Sequence, residues 1–437
     1  MTKPLSEPPP FQHRDRVFLF LQGPHGPFFF QLGKRLQAAG ATVRRVGFNS
    51  GDSVFWPQRR SYLPYRGDRD AWPRFLANLL SDQAVTDIVL YGDTRWMHAS
   101  AVAEARKRNI RVHVFEEGYL RPYWVSYELG GSNGHSPLMD MPLSAMRDAQ
   151  AQGTLDPPVP PSHWGDMRQH VFYGALYHGF VMMLNQRYRR FRSHRSLHVT
   201  QEFQLYLKRL LLMPFQALER RLATFRLQRG GFAYHLALLQ LEHDSAFQMH
   251  APFGTQSEFL DLVISQFASG APPYHHLVFK AHPLEDGRVP LRRDIRRLAR
   301  KHGISKRVHY LRGGKLAGIL DEARSAVTVN STAGQQALWR GIPLKAFGDA
   351  VYAKPELVSD QPLAAFFADP TRPDTQAYRG FRRFLLQTSQ LPGSFYASRG
   401  RKQLLRSVVD LMLSGRDPYE IQERPTEAHG QQFRLVT

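Results

Sequence analysis

The 437-residue chain contains no cysteine, which excludes disulfides, thiolate zinc sites and a cysteine nucleophile and leaves no argument about redox compartment. It also lacks any uninterrupted apolar run near the ~18 residues that a membrane span requires, so an integral membrane protein is not expected. The stretch Met1 to Arg16 is Pro-rich and polar, with neither an apolar core nor a small-residue cleavage site. A flexible N-terminus over 1–15 and cytoplasmic residence are therefore expected. No Gly-x-Gly-x-x-Gly follows the first strand and no Walker A signature occurs. Histidines number 19, yet His275-His276 and His194 to His198 lack the spacing and convergent carboxylates of a zinc site, so no metal is expected.

Acidic residues are scarce: 37 against 58 Lys and Arg, a formal charge of +21. Such a field attracts polyanions, whether nucleic acid, anionic lipid or an acidic glycan with its nucleotide donor. Nucleic acid is not the expected partner, because no aromatic-interleaved basic strand or recognisable motif accompanies the charge. From Arg187 to Arg229 eleven Lys or Arg face only Glu202 and Glu219, so this segment alone carries nine of the excess charges.

A hydrophobic fraction of 42% and a charged fraction of 22% are those of a globular chain, and the length suits two or three domains. Residues 16–150 alternate β-rich runs with helical stretches: strands at Val17–Leu21, Thr42–Phe48, Asp87–Tyr91 and Ile110–Phe115, helices at Phe30–Ala39 and Ala99–Arg108. Four prolines between Pro157 and Pro161 mark a break, and 151–229 reads as a basic helical insertion. Within it Phe203, Leu207, Leu210, Leu211, Leu218, Leu222 and Phe225 recur at three-and-four spacing among basic residues, with a kink expected at Pro214. Two readings stand, a helix packed on the body with a solvated basic face or an amphipathic surface resting on anionic lipid. Alternation resumes over 230–397, with strands near Phe232–Gln240, Leu277–Ala281, Val308–Leu311, Ala326–Val329 and Leu344–Phe347. A C-terminal helix and tail fill 398–437. The expected fold class is α/β, with two doubly wound Rossmann-like domains joined by the helical insertion.

Three constellations fall at the carboxyl ends of strands, where this fold places ligands. Glu116-Glu117-Gly118 and the following Arg121 offer carboxylates suited to a general base or nucleophile, or an acidic turn paired with Arg121. Lys280-Ala281-His282-Pro283 offers an imidazole for a departing phosphate with a cation beside it, or simply a turn. Asn330-Ser331-Thr332-Ala333-Gly334 runs into a helix and reads as a phosphate cradle or as an ordinary hydroxyl cap. Gln22, Gly23 and Gly26 lie in a loop after the first strand that suits close approach to a ligand or a rigid turn. Asp93 is placed to hold an acceptor or Arg95, or to serve structure alone, and Asn133 to line the cleft or form a turn. Because the two halves each supply one side of a cleft, Glu117 and His282 are expected to face each other across it.

The order Glu-Glu-Gly, His-Pro, Ser-Thr resembles the motifs of bacterial CMP-sugar transferases. More closely, Gln22 to Phe28, Phe48 to Asp52, Leu90 to Arg95, Phe115 to Pro122 and Phe279 to Pro283 resemble the capsule polysaccharide biosynthesis and export family of KpsS/LipB type. The resemblance implies a GT-B-like fold and a glycosyltransferase that takes Kdo from CMP-Kdo to a phosphatidylglycerol-type lipid, starting the capsule linker, with no cofactor. It assigns Glu117 as the catalytic acid residue, with Glu116 organising the turn, His282 on the CMP phosphate, and Ser331 and Thr332 in the phosphate cradle. Whether Glu117 acts as base or nucleophile stays open. The implied place is the inner face of the inner membrane, as a peripheral protein beside an anionic lipid acceptor and within a capsule synthesis and export complex. A non-enzymatic export factor that binds the lipid-linked acidic glycan is the alternative.

Overall fold

A computed structural model describes residues 15–152, 167–190, 215, 218–219, 221–227 and 229–419. The first half contributes β1 (Val17–Phe20), α1 (Phe28–Ala38), β2 (Thr42–Gly47), α2 (Ser50–Val54), β3 (Tyr62–Pro64), α3 (Trp72–Asp82), β4 (Asp87–Tyr91), α4 (Trp96–Lys107), β5 (Arg111–Glu117) and β6 (Trp124–Leu129). Helices α5 (Leu143–Gln152) and α6 (Met167–Leu184) follow. The second half contributes β7 (Tyr234–Leu238), β8 (His276–Lys280), β9 (Val308–Leu311), β10 (Ala323–Thr328) and β11 (Leu344–Ala346), and the chain ends its sheets with β12 (Gln390–Pro392).

Both sheets share one winding. Strands run β3-β2-β1-β4-β5 in the first and β9-β8-β7-β10-β11 in the second, every neighbour parallel. In each the chain reverses its direction of travel beside the first strand, so the β1/β4 and β7/β10 edges are the switch points where doubly wound folds hold ligands. The two α/β halves expected from the sequence are present. The first sheet is mixed rather than purely parallel, because β6 pairs antiparallel with β5 and β12 antiparallel with β6. Residues 390–392 thus return to the first sheet, and the helix Ser398–Ser414 packs Leu404, Leu405, Val408 and Met412 against α1 there.

Local chemistry explains the elements. The helix Gln256–Gly270 starts at a reciprocal cap, in which Thr255 accepts from the Glu258 amide and Glu258 accepts from the Gly254 amide at 2.9 Å. Its Phe259, Leu260, Val263, Ile264 and Phe267 repeat on one face and are fully buried, each contributing about 1.5–3 kcal/mol of transfer free energy. At the opposite end of the first sheet from the site, buried Asp87 is gripped by Arg16 Nε at 3.1 Å and His113 Nε2 at 2.9 Å. Those bonds hold its carboxyl below the ordinary range against the opposing pull of burial.

One buried cluster crosses the seam between the halves, joining Tyr119, Leu120, Trp124 and Leu138 to Leu236, Leu238, Leu338 and Tyr378. Polar ties reinforce it. Gln335 Nε2 donates to the Tyr119 carbonyl at 2.8 Å, and Lys354 Nζ donates to the Leu138 and Met139 carbonyls at 2.6 and 2.8 Å.

Of the helical insertion, α6 packs on α2 and is described below. Phe203, Leu207, Leu210, Leu211, Pro214 and Arg220 lie outside the described residues. Leu218, Leu222 and Phe225 are exposed. Among the described residues no helix is long and apolar enough to cross a membrane.

Candidate active site

A cavity of about 580 Å³ opens at the seam. Its first wall is the connection from β5 to β6, Tyr119 to Trp124; its second is the β8 end, Lys280 to Pro283, together with Ser331, Thr332 and Ala333 beyond β10. Arg340, Arg382 and Trp339 close the side. Six of the sequence-predicted residues therefore meet in one space: Arg121, Lys280, His282, Pro283, Ser331 and Thr332.

Charge in this cavity is of one sign. Lys280, Arg121, Arg340 and Arg382 line it, and no described lining residue is acidic, with Arg340 Nε paired to Asp321 at 2.8 Å. Lys280 is buried, and among the described residues no carboxylate pairs with it; desolvation lowers its pKa. An anion entering here restores what burial removed. Arg382 lies over the Trp339 ring at 4.8 Å, and Arg121 Nε donates to the Gly118 carbonyl, so both guanidinium planes are held in place. His282 Nδ1 accepts from the Leu284 amide at 3.1 Å, which puts the proton of the neutral ring on Nε2.

The phosphate-cradle stretch divides. Ser331 Oγ accepts from the Ala333 amide and the helix begins at Gly334 with Ala333 ahead of it, so the hydroxyl shapes the turn rather than capping the helix. Asn330 is outside the cavity wall: its side chain accepts from Gln240 Nε2 at 2.6 Å and donates to the Ala246 carbonyl at 2.8 Å, fastening the β10 end to the next segment. Gly334 admits the Tyr352 hydroxyl, which would stand 2.8 Å from a Cβ.

The carboxylates take a different place from the one expected. The strand Ile110–Phe115 of the sequence reading extends to Glu117, because antiparallel β6 pairs Ser126 with Glu116 and Val125 with Glu117. As consecutive strand residues the two point to opposite faces. Glu117 Oε1 accepts from the Tyr91 hydroxyl at 3.3 Å, on the side of Tyr396 and His170. Glu116 turns toward Gly92, whose φ of +65° and missing Cβ leave room for the carboxyl. Burial, then Asp244 of the second half, then Glu117 push its pKa up to about 8. Neither carboxylate lines the cavity that holds His282, although the wall starts two residues after Glu117. Gly118 makes that step possible: a Cβ would collide with the Trp124 carbonyl oxygen at 2.3 Å.

The N-terminal motifs converge on a second cluster at the β1/β4 switch point. Gln22 Oε1 accepts from Arg95 at 2.8 Å while its Nε2 donates to the Tyr177 hydroxyl at 3.0 Å. That hydroxyl donates to Asp52, which is also paired with Arg45 at 3.1 Å. Gly23 faces Phe29 and Gly26 faces Tyr173. Asp93 accepts from the Ser132 amide at 3.1 Å and lies 3.0 Å from His135 Nδ1. Asn133, at a φ of +54°, donates its amide to the Tyr119 hydroxyl at 2.7 Å and supports the cavity wall from behind. Arg340, Arg382 and Trp339 were missed by sequence reasoning, since they come from separated segments without a motif. Tyr177 and Tyr396 were missed for the same reason.

Residues 86–396 match the family model described as capsule polysaccharide biosynthesis protein. Capsule polysaccharide export protein KpsS of Escherichia coli is 30% identical over 386 residues, covering 87% of this chain and 97% of its own. Capsule polysaccharide modification protein LipB of Neisseria meningitidis serogroup B is 30% identical over 382 residues, covering 87% and 91%. Among solved structures, the beta Kdo 2,7 transferase of Thermosulfurimonas dismutans KpsC aligns over 91% of this chain and 100% of its own, at 12% identity and a TM-score of 0.42. A superposition at that score carries no argument about activity.

Proposed function

This chain belongs to the capsule polysaccharide biosynthesis family, and from that premise we propose that it is a GT-B-like glycosyltransferase carrying Kdo from CMP-Kdo to a phosphatidylglycerol-type lipid. The observation that supports this reading is the seam cavity, walled by four cations and His282 and free of carboxylates, which suits a donor carrying a phosphate and a sugar acid. CMP occupies this cavity. Lys280 and the Ser331 and Thr332 hydroxyls take the phosphate, and His282 Nε2 donates to the oxygen that leaves with CMP. The bond from the anomeric carbon to that phosphate oxygen breaks, and the acceptor hydroxyl oxygen forms the new one. Preorganised donors aimed at the departing charge lower the barrier without reorganisation.

The sugar extends from the cavity toward the β5 end, where Glu117 acts either as the base that takes the acceptor proton or as the nucleophile of a two-step transfer. Glu116, protonated near neutral pH by its surroundings, is an organising residue rather than a second base. Work at the inner face of the inner membrane, within a capsule synthesis and export complex, completes the proposal.

The competing reading is a non-enzymatic export factor, in keeping with the name of the Escherichia coli relative. A carrier of acidic glycan gains nothing from the Glu117 carboxylate beside its site. Release of CMP from CMP-Kdo in the presence of phosphatidylglycerol separates the two. Turnover supports the transferase; glycan binding without CMP release supports the carrier.

A further inference from the structure

Helix α6 is apolar on most of its circumference and leaves one row of large apolar side chains exposed. Val171, Phe172, Leu176, Met182 and Met183 recur on one stripe of the helix and are exposed, Phe172 by 61% and Met183 by 69%. The inward side is the polar and aromatic one: Tyr177 bonds Gln22 and Asp52, His170 stacks on Tyr396 at 4.2 Å, and the Phe180 carbonyl accepts from Ser50 Oγ at 2.7 Å. A helix that only shielded the domain would face the other way. An apolar stripe that no described residue covers marks an interaction surface.

Its charges identify the occupant. From 167 to 190 there is no Asp or Glu, and Arg168, Arg187, Arg189 and Arg190 stand at the two ends of the stripe. An acidic glycan does not call for a row of Val, Leu and Met, and an apolar protein partner does not require every charge to be positive. Both features suit an anionic bilayer, in which the stripe sinks to the acyl boundary and the arginines meet headgroup phosphates.

We propose that α6 is an in-plane membrane-docking helix for anionic lipid. Docking places the Gln22 and Glu117 side of the first domain about one helix diameter, ~10 Å, from the bilayer surface. The docking stands on the helix alone; that it delivers a lipid acceptor to the site rests on the transfer proposed above.

The cysteine-free chain gives a direct test. Full-length Met183→Cys carrying an environment-sensitive dye, with Lys107→Cys on α4 as reference, is mixed with phosphatidylglycerol/phosphatidylethanolamine vesicles and with phosphatidylcholine vesicles. The dye at 183 is expected to shift to the blue and to be quenched by spin-labelled lipid in the anionic vesicles only, while the dye at 107 is unchanged. A Phe172→Gln, Leu176→Gln, Met183→Gln variant that melts like the parent should partition about tenfold less. Two results overturn the proposal: an unshifted dye at 183 on anionic vesicles, or co-sedimentation of the triple variant equal to the parent's. CMP binding, measured without lipid, reports on the transfer reading separately, so either can fail without the other.

Discussion

Glu116 and Glu117 are neighbours in the chain but leave β5 on opposite faces, one toward Gly92 and Asp244, the other toward Tyr91 and Tyr396. Their immediate surroundings differ, and in the transfer proposed above their roles divide. Glu117→Gln is expected to lower kcat about a thousandfold with CMP affinity unchanged. Glu116→Gln should keep most of the turnover. Steady-state kinetics beside CMP calorimetry check both, and near-normal turnover of Glu117→Gln refutes its assignment.

Glu116 also predicts a pH signature in stability. Its folded-state pKa is raised from the ordinary carboxylate value to about 8, so between about pH 4.5 and pH 8 the folded chain holds a proton that the unfolded chain has released. Stability from this group therefore falls as pH rises through that window. Glu116→Gln, which cannot ionise, should match the parent in melting temperature near pH 4.5 and exceed it at pH 8.5. Equal pH dependence of the two proteins contradicts the environment described.

Lys280 separates binding from folding. Its ammonium is buried among the cavity walls with a pKa lowered by desolvation, so removing the charge should leave the fold intact or slightly steadier. Lys280→Met keeps the stem and loses the donor. CMP should bind about tenfold to a hundredfold more weakly, the worth of one charge-assisted hydrogen bond. Calorimetry and thermal melts on the same sample decide it.

Asp87 is the counter-example, a buried carboxylate with no part in the site. Asp87→Ala leaves Arg16 and His113 without their acceptor, at an expected cost of about 3–5 kcal/mol in denaturant unfolding. CMP affinity of the folded fraction should not change.

The alternation that gave the two halves was legible because buried parallel strands are near-continuous apolar runs; Asp87–Tyr91 and Val308–Leu311 coincide with the elements observed. Strand β6 was not legible. Its Glu128 is polar yet fully buried, accepting from Tyr119, Ser136 and Tyr419, and a carboxylate in that position breaks the pattern by which strands are recognised. Missing β6 put Glu116 and Glu117 after a strand instead of within one, and made them look like a pair. The segments holding His282 and Ser331 were readable since each follows the end of an apolar strand, β8 and β10. Arg340 and Arg382, which make the cavity cationic, lie on separate helical segments that only the fold brings together.

The central claim is that the cationic cavity serves sugar transfer to lipid. Incubation of the protein with CMP-Kdo and phosphatidylglycerol, followed by mass spectrometry of the extracted lipid, tests it directly. Lipid heavier by a single Kdo residue is expected with the parent protein and none with His282→Ala, although that variant melts normally. Unmodified lipid and intact CMP-Kdo with the parent protein, under conditions where it binds CMP, would contradict it.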